Sequence, residues 1–184
     1  MTKRERTRRA IRASALELFR ARGFDDVTVA DVARRAGVTE MTVYRHFATK
    51  AALVIDDPYD PLIADAVAAR PAEEPAIVAV ARGVKDAWRA VPEPDASAVR
   101  ETLQLVASHP ALRSSLDTGT RATEAAIIAA LAARGVVASA AAVVAAAVVA
   151  GLNAALLAWA VEPVERPLDD AIVGALGALI GGEA

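Results

Sequence analysis

The 26 residues from position 136 to 161 carry no charged side chain, and nothing else in the sequence constrains the fold so tightly. Most are Ala or Val, with Ser139 and Asn153 as polar exceptions. As a helix the stretch would be roughly 39 Å long at 1.5 Å per residue, and it is too apolar all round to face water on every side. Its length suits a membrane span. Against that, Ala is only weakly hydrophobic, and the flanks hold no basic cluster to set an orientation. Arg134 stands alone before the run, while Glu162, Glu165 and Arg166 are mixed behind it. The expectation is a helix buried against protein on nearly all sides, as at a subunit interface, and no membrane span.

The remaining composition agrees with a helical protein. Hydrophobic residues make up 55% of the 184 and charged residues 24%, which excludes intrinsic disorder. Aromatics are only 4%, so the apolar content lies in small aliphatic side chains, which favours close-packed helices over an aromatic-rich β-sandwich. The absence of Cys excludes disulfides, thiolate metal sites and a Cys nucleophile. His46 and His109 cannot fill a His-based zinc site alone, so neither metal nor cofactor is expected. The basic start has no long apolar run behind it and does not resemble a signal peptide, which points to the cytoplasm.

The formal net charge of −2 conceals a division. Residues 1–50 hold 12 Lys/Arg against 6 Asp/Glu, whereas residues 51–184 hold 9 against 17. A basic head on an acidic body points to a polyanion as the head's partner, although a solvated basic helix would give the same count. Helical spacing accounts for the whole chain in about nine helices, with no useful strand alternation and no fixed-period repeat. Ile11, Ala15, Leu18 and Phe19 mark the inner face of a first helix over residues 2–22, which Gly23 can stop. Pro58 and Pro61 should break or kink a fourth helix. Ile77, Val80, Ala81, Val84, Trp88 and Val91 form the most regular stripe, on a helix over 75–91. Further helices are expected over 97–108, 110–134 with an interruption near Gly119, 139–161 and 167–180. Two domains follow, 1–50 and 51–184.

Residues 28–47 form a helix-turn-helix pattern with definite mechanics. A short amphipathic helix capped by Thr28 turns Val29, Val32 and Ala33 inward. Gly37 allows the sharp turn, Thr39 caps the next helix, and Val38, Val43 and Phe47 hold that helix at a fixed angle. Glu40, Met41, Thr42, Arg45 and His46 are then left outward, on a helix thin enough to enter a major groove. The capped helix starts also offer backbone N–H groups to phosphates.

In its spacing of Thr28, Val32-Ala33, Ala36-Gly37-Val38-Thr39, Thr42-Val43-Tyr44, Phe47 and Lys50 to Leu53, the chain resembles the TetR family of transcriptional repressors. The specific resemblance covers about residues 8–55; beyond it only length, helix count and a Trp-containing helix near the end agree. It implies that Thr28, Thr39, Tyr44, His46 and Lys50 hold the phosphate backbone, and that Glu40, Met41, Thr42 and Arg45 read base edges. Two positions depart from the family's habit. Members often place a small residue where Met41 stands, and Glu40 brings negative charge toward the groove. Met41 suits a thymine methyl, and Glu40 either accepts from a cytosine amine or is a first-turn charge that stabilises its helix.

The resemblance further implies an all-α fold: a three-helix DNA-binding head and a helical body that binds a ligand and dimerises. The last two long helices would pair with a second copy, with Ala142, Ala146, Ala150 and Ala154 permitting close approach. Candidate pocket residues in the middle helices are Trp88, Thr102, Leu103, Gln104, Thr123, Ile127 and Asn153. The expected protein is a homodimeric regulator of double-stranded DNA at a palindromic operator, a repressor released by a small apolar or amphipathic effector. One alternative is a DNA-binding regulator without a small-molecule effector, controlled by a protein partner or acting as an activator. A distant one is an all-helical enzyme or lipid-binding protein. No nucleophile elbow, GxGxxG or P-loop supports catalysis, and His109 before Pro110 reads as a capping or solvated residue, so an enzyme is not expected.

Overall fold

Thr2 begins the fold. Its hydroxyl accepts from the Glu5 amide while the Glu5 carboxylate accepts from the Thr2 amide, a reciprocal cap on α1 (Lys3–Arg22). Thr28 and Asp31 repeat that cap at the start of α2 (Val29–Ala36). Thr39 opens α3 (Glu40–His46) by accepting from the Thr42 amide. Between them Gly37 takes φ +67°, a left-handed conformation that disfavours any residue with a Cβ, and so the chain reverses within a few residues.

The computed structural model describes residues 2–55, 60–91, 95–163 and 166–181. Among them are eleven helices and no strand; the first three are followed by α4 (Ala52–Ile55), α5 (Asp60–Ala68), α6 (Ala76–Arg89), α7 (Ala96–Ser108), α8 (Pro110–Gly119), α9 (Arg121–Ala133), α10 (Ala138–Val161) and α11 (Leu168–Leu179). The interruption expected near Gly119 separates α8 from α9. Pro58, half of the expected break in the fourth helix, lies outside the described residues. Pro61 falls in the first turn of α5, where a missing N–H deprives the helix of nothing. Packing divides the chain into two units, Met1–Asp56 with Leu105–Gly119, and Asp57–Gln104 with Thr120–Ala184. A single cut after residue 50 therefore does not describe the packing. The four-residue α4 is too short to cover its own Leu53 and Val54, and α8 packs on it within the first unit.

In the first unit α1 packs on α2 and α4, and α2 on α3. Ile11, Phe19, Val32, Val43, Phe47, Leu53 and Leu112 are buried. Leu18, expected on the inner stripe, is only half-buried.

In the second unit α5 packs on α6 and α9, and α10 on α6, α9 and α11. Gly83 is required where α6 meets α5, because a Cβ there would lie 2.9 Å from the Val67 backbone. Trp159 is buried, and its indole N–H donates to the Arg166 carbonyl at 2.7 Å. Arg100 stacks over the Trp159 ring at 4.1 Å and donates to the Trp159 carbonyl, while Gln104 donates to the Ala160 carbonyl. Two side chains of α7 thus donate to carbonyls at the end of α10. Arg134 donates to the Arg70, Pro71 and Glu74 carbonyls, clamping the turn before α6. Arg70 and Arg82 both pair with Glu74 and hold its carboxyl down at about 2.

α10 departs from the expectation of burial on nearly all sides. Ala141, Ala145, Val148 and Val149 are buried, but Ala142, Ala146, Ala150 and Ala154 are exposed, with Val143 and Val161 beside them. A single chain has too few helices to surround a 24-residue rod, so the sequence property of all-round apolarity meets a one-sided environment. By length and a mean hydropathy of 2.2 this helix would also pass as a membrane span.

Candidate nucleic-acid interface

α3 owes its orientation to Val43 and to Phe47 at its end, both buried. Residues a quarter to a half turn away are pushed outward. Glu40 and Arg45 are exposed, Met41 is 70% exposed and Tyr44 is 50% exposed. Thr42 behaves differently. Its hydroxyl lies 3.0 Å from the Thr39 hydroxyl, and both groups belong to the cap of the helix. Of the four candidate base readers, three project and one is drawn into holding the helix start.

Cations gather around the far end of α3. The Arg8 guanidinium stacks over the Phe47 ring at 4.5 Å and donates to the His46 carbonyl. The His46 imidazole is half-buried, and its Nδ1 has no hydrogen-bond partner among the described residues. Burial, and then the charges of Arg4, Arg8 and Arg45, hold its pKa below the ordinary 6.5, so it is neutral at pH 7.

Near the start of α2 stands a second cationic position. The Lys50 ammonium lies 4.4 Å from the Phe24 ring centroid, 5.9 Å from that of Phe19 and 3.4 Å from the Asp25 carbonyl. Thr28 is exposed three residues further on, with the N-terminal dipole of α2 behind it. Hydrogen bonds from the Thr28 amide and hydroxyl, aided by Arg34 and Arg22, lower the Asp31 carboxyl to about 2. That carboxylate remains ionised and locked in the cap. Nothing local in the sequence marks Phe24, an aromatic that meets a lysine 26 positions away.

The chemistry of this surface suits duplex nucleic acid. A narrow helix presents an acceptor at Glu40, an apolar contact at Met41, a donor at Arg45 and an aromatic hydroxyl at Tyr44, with Arg8 at its far end and Lys50 near the start of α2. Among the described residues no group of three or more His, Asp or Glu could hold a metal ion.

The polar candidates in the body are engaged by protein partners. The Trp88 indole donates to Asp169 at 3.0 Å, the Thr102 hydroxyl to the Ala98 carbonyl at 2.8 Å, and Gln104 to the end of α10 as described. Leu103 packs on the core of the second unit, Thr123 and Ile127 are buried, and Asn153 is half-buried. A groove of about 230 Å³ lies elsewhere, between α6 and α11, lined by residues that include Ala81, Lys85, Leu176 and Ile180. His109 sits at the junction of α7 and α8, its Nδ1 3.0 Å from both the Leu105 carbonyl and the Ser108 hydroxyl, with its ring edge toward Phe24.

Comparison with known proteins bears on the head first. Residues 11–56 match the domain family of bacterial regulatory proteins, tetR family. A Mycobacterium tuberculosis protein named for transcriptional regulation of mycofactocin biosynthesis, MftR, is 51% identical over 39 residues, 21% of this chain and 20% of that protein. The HTH-type transcriptional regulator SrpR of Pseudomonas putida is 51% identical over 43 residues, 23% of this chain and 20% of that one. The chain thus spans about a fifth of the length of the curated relatives it matches. Solved structures extend the likeness to the whole fold. NalD of Pseudomonas aeruginosa, the secondary repressor of the MexAB-OprM multidrug efflux pump, superposes with a TM-score of 0.56 at 20% identity, over 96% of this chain and 94% of that one. Thermus thermophilus FadR, a repressor solved with lauroyl-CoA, gives 0.52 at 20% identity, over 96% and 95%.

Proposed function

We propose that this regulator of the TetR family acts as a two-fold dimer that occupies a palindromic site in duplex DNA and represses the adjoining gene. Proteins of the family work by binding DNA and not by catalysis. The observation that carries the reading is the outer face of α3. Met41, Tyr44 and Arg45 stand in solvent on a helix locked from behind by Val43 and Phe47, with Arg8 at its far end and Lys50 near the start of α2. Arg45, Met41 and Glu40 are the base readers; Thr28, Thr39, Tyr44, His46 and Lys50 position the backbone, and Thr42 serves chiefly to hold the cap.

Dimerisation is supported by the exposed side of α10. Ala142, Ala146, Ala150 and Ala154 recur at every fourth position of a helix that carries no charged side chain, and a second copy of α10 and α11 can approach such a surface closely. A two-fold pair also supplies the second helix-turn-helix that a palindrome needs. A membrane would cover the same stripe, but it would also have to admit the acidic α10–α11 turn and α11's own Asp169 and Asp170. DNA as the partner places the protein in the cytoplasm.

Binding-site selection with variants tests the division of roles. Arg45→Ala should change the recovered motif, with a loss of about 1–3 kcal/mol at the base it contacts. Tyr44→Ala should recover the wild-type motif with weaker binding throughout. Identical motifs from both variants would remove the division. As to control, the engagement of Trp88 with Asp169 and of Gln104 with α10 supports a regulator that needs no small molecule in that place. Release by an apolar or amphipathic effector is the second reading, and the fold shared with lauroyl-CoA-bound FadR favours it. Lauroyl-CoA titrated against the DNA-bound protein discriminates the two: release with a change in Trp88 emission supports the effector, and unchanged affinity supports its absence.

A further inference from the structure

We propose that Phe24 is a positioning residue for DNA binding, an aromatic seat that holds the Lys50 ammonium ready for a phosphate. The inference rests on the reading that Lys50 meets the DNA backbone, and it adds a residue that touches no DNA itself. Phe24 is buried, 7% exposed, so its ring cannot follow the lysine about. Phe19 packs against it at 5.1 Å and 54°, and the His109 ring meets it edge-on at 5.8 Å and 62°. On the remaining side the Lys50 ammonium stands 4.4 Å from the ring centroid, within the range where the negative face of an aromatic attracts a cation. The Asp25 carbonyl, 3.4 Å away, gives the ammonium a direction.

Lys50 follows α3, and besides the Phe24 ring its ammonium has the Asp25 carbonyl and, at 5.9 Å, the Phe19 ring beside it. No carboxylate forms an ion pair with it among the described residues, although Asp25 and Asp26 are close in sequence to the carbonyl it meets. A carboxylate partner would neutralise the charge and have to be displaced by phosphate. An aromatic face leaves the charge whole and at least two of the three N–H donors available. A free lysine side chain loses considerable rotamer freedom when a ligand fixes it. A lysine already seated on a ring has lost much of that freedom before DNA arrives, and affinity gains by the same amount. The seat also places the ammonium beside the loop that leads into α2, where the helix dipole attracts the same phosphate. Arg8 on the Phe47 ring shows a second cation of this unit held in the same way.

The test uses the full chain and a non-operator duplex of about 20 base pairs, because a phosphate contact is independent of sequence. Lys50→Ala should weaken binding and lower the salt slope by about one. Phe24→Leu, which keeps an apolar side chain of similar bulk, should weaken binding about three-fold in the wild-type background, in line with one exposed cation–aromatic contact. It should cost nothing further in the Lys50→Ala background. Phe24→Tyr should restore wild-type affinity, because it keeps the ring. By NMR, the Lys50 ε-methylene protons of the free protein should be shifted upfield by the ring, and the shift should vanish in Phe24→Leu and persist in Phe24→Tyr. An equal loss in both backgrounds, failure of the tyrosine to rescue, or an unshifted Lys50 resonance would overturn the seat while leaving Lys50 on the DNA. Wild-type affinity for Lys50→Ala would instead overturn the reading beneath it, and the seat with it.

Discussion

The two units of this chain are stabilised by different means. In the first, α1, α2 and α3 are begun by side-chain caps at Thr2, Thr28 and Thr39 and anchored by a few aromatics, so much of the unit has a local cause. In the second, α7 is capped by the Asp95 carboxylate, but the Ala- and Val-rich α6, α9, α10 and α11 begin without a side-chain cap, and order comes from burial and long-range clamps such as Arg134 and Arg100. The difference teaches where each unit is vulnerable. A local defect should spoil the head's surface, whereas the body should fail through packing and through association.

The largest effect should come from the exposed stripe of α10. Ala146→Glu puts a charge at its centre without touching the core, and sedimentation should show the dimer replaced by monomer, with palindrome affinity falling alongside. A variant that remains dimeric would move the interface off this stripe. Core truncations come next, at about 3–5 kcal/mol each for a large aromatic. Phe47→Ala should abolish DNA binding in conditions where most of the helical signal survives, because it removes the anchor of α3. Trp159→Ala should lower the melting of the body by a similar energy. Equal losses of DNA binding from both, at a temperature where both variants are folded, would erase the contrast between the units.

The smallest effect is acidic. Asp31 in the head and Glu74 in the body both have carboxyls lowered to about 2, from ordinary values of 3.8 and 4.5. A lowered carboxyl favours the folded state fully above its ordinary value, and the contribution disappears as pH falls toward 2. Arg34 beside Asp31 and Arg82 beside Glu74 are exposed to solvent that screens both pairs, so each should shift the acid transition modestly. Asp31→Asn should flatten the pH dependence of head unfolding between about pH 4 and 2, and Glu74→Gln that of the body, as followed by NMR of resonances in each unit. A head transition unaltered by Asp31→Asn would mean that the Thr28 hydroxyl alone sustains the cap.

Much of the head is legible in the sequence. Capping residues, a left-handed glycine and an apolar stripe act within four or five positions of one another, and α2 and α3 begin and end where Thr28, Gly37, Thr39 and Phe47 require. The same short range explains why Glu40, Met41 and Arg45 could be placed outward from spacing alone. Thr42 could not, because a hydroxyl at that position can either project or turn back to the Thr39 cap, and only packing decides.

In the body, periodicity located the helices but not their neighbours. Ala and Val at nearly every position of α10 give no stripe, so the sequence could state that the helix is apolar and not that one face would be left open. The sequence by itself determined an all-helical chain, a helix-turn-helix with its outward side chains, and an unusual apolar rod. Tertiary structure decided which residues separated by tens of positions meet: Phe24 with Lys50, Trp88 with Asp169, Arg100 with Trp159, Arg134 with the turn before α6. The reason is physical. Caps, turns and amphipathic spacing depend on neighbours along the chain, whereas the seat of a lysine or the partner of an indole depends on how helices pack, which no local pattern encodes.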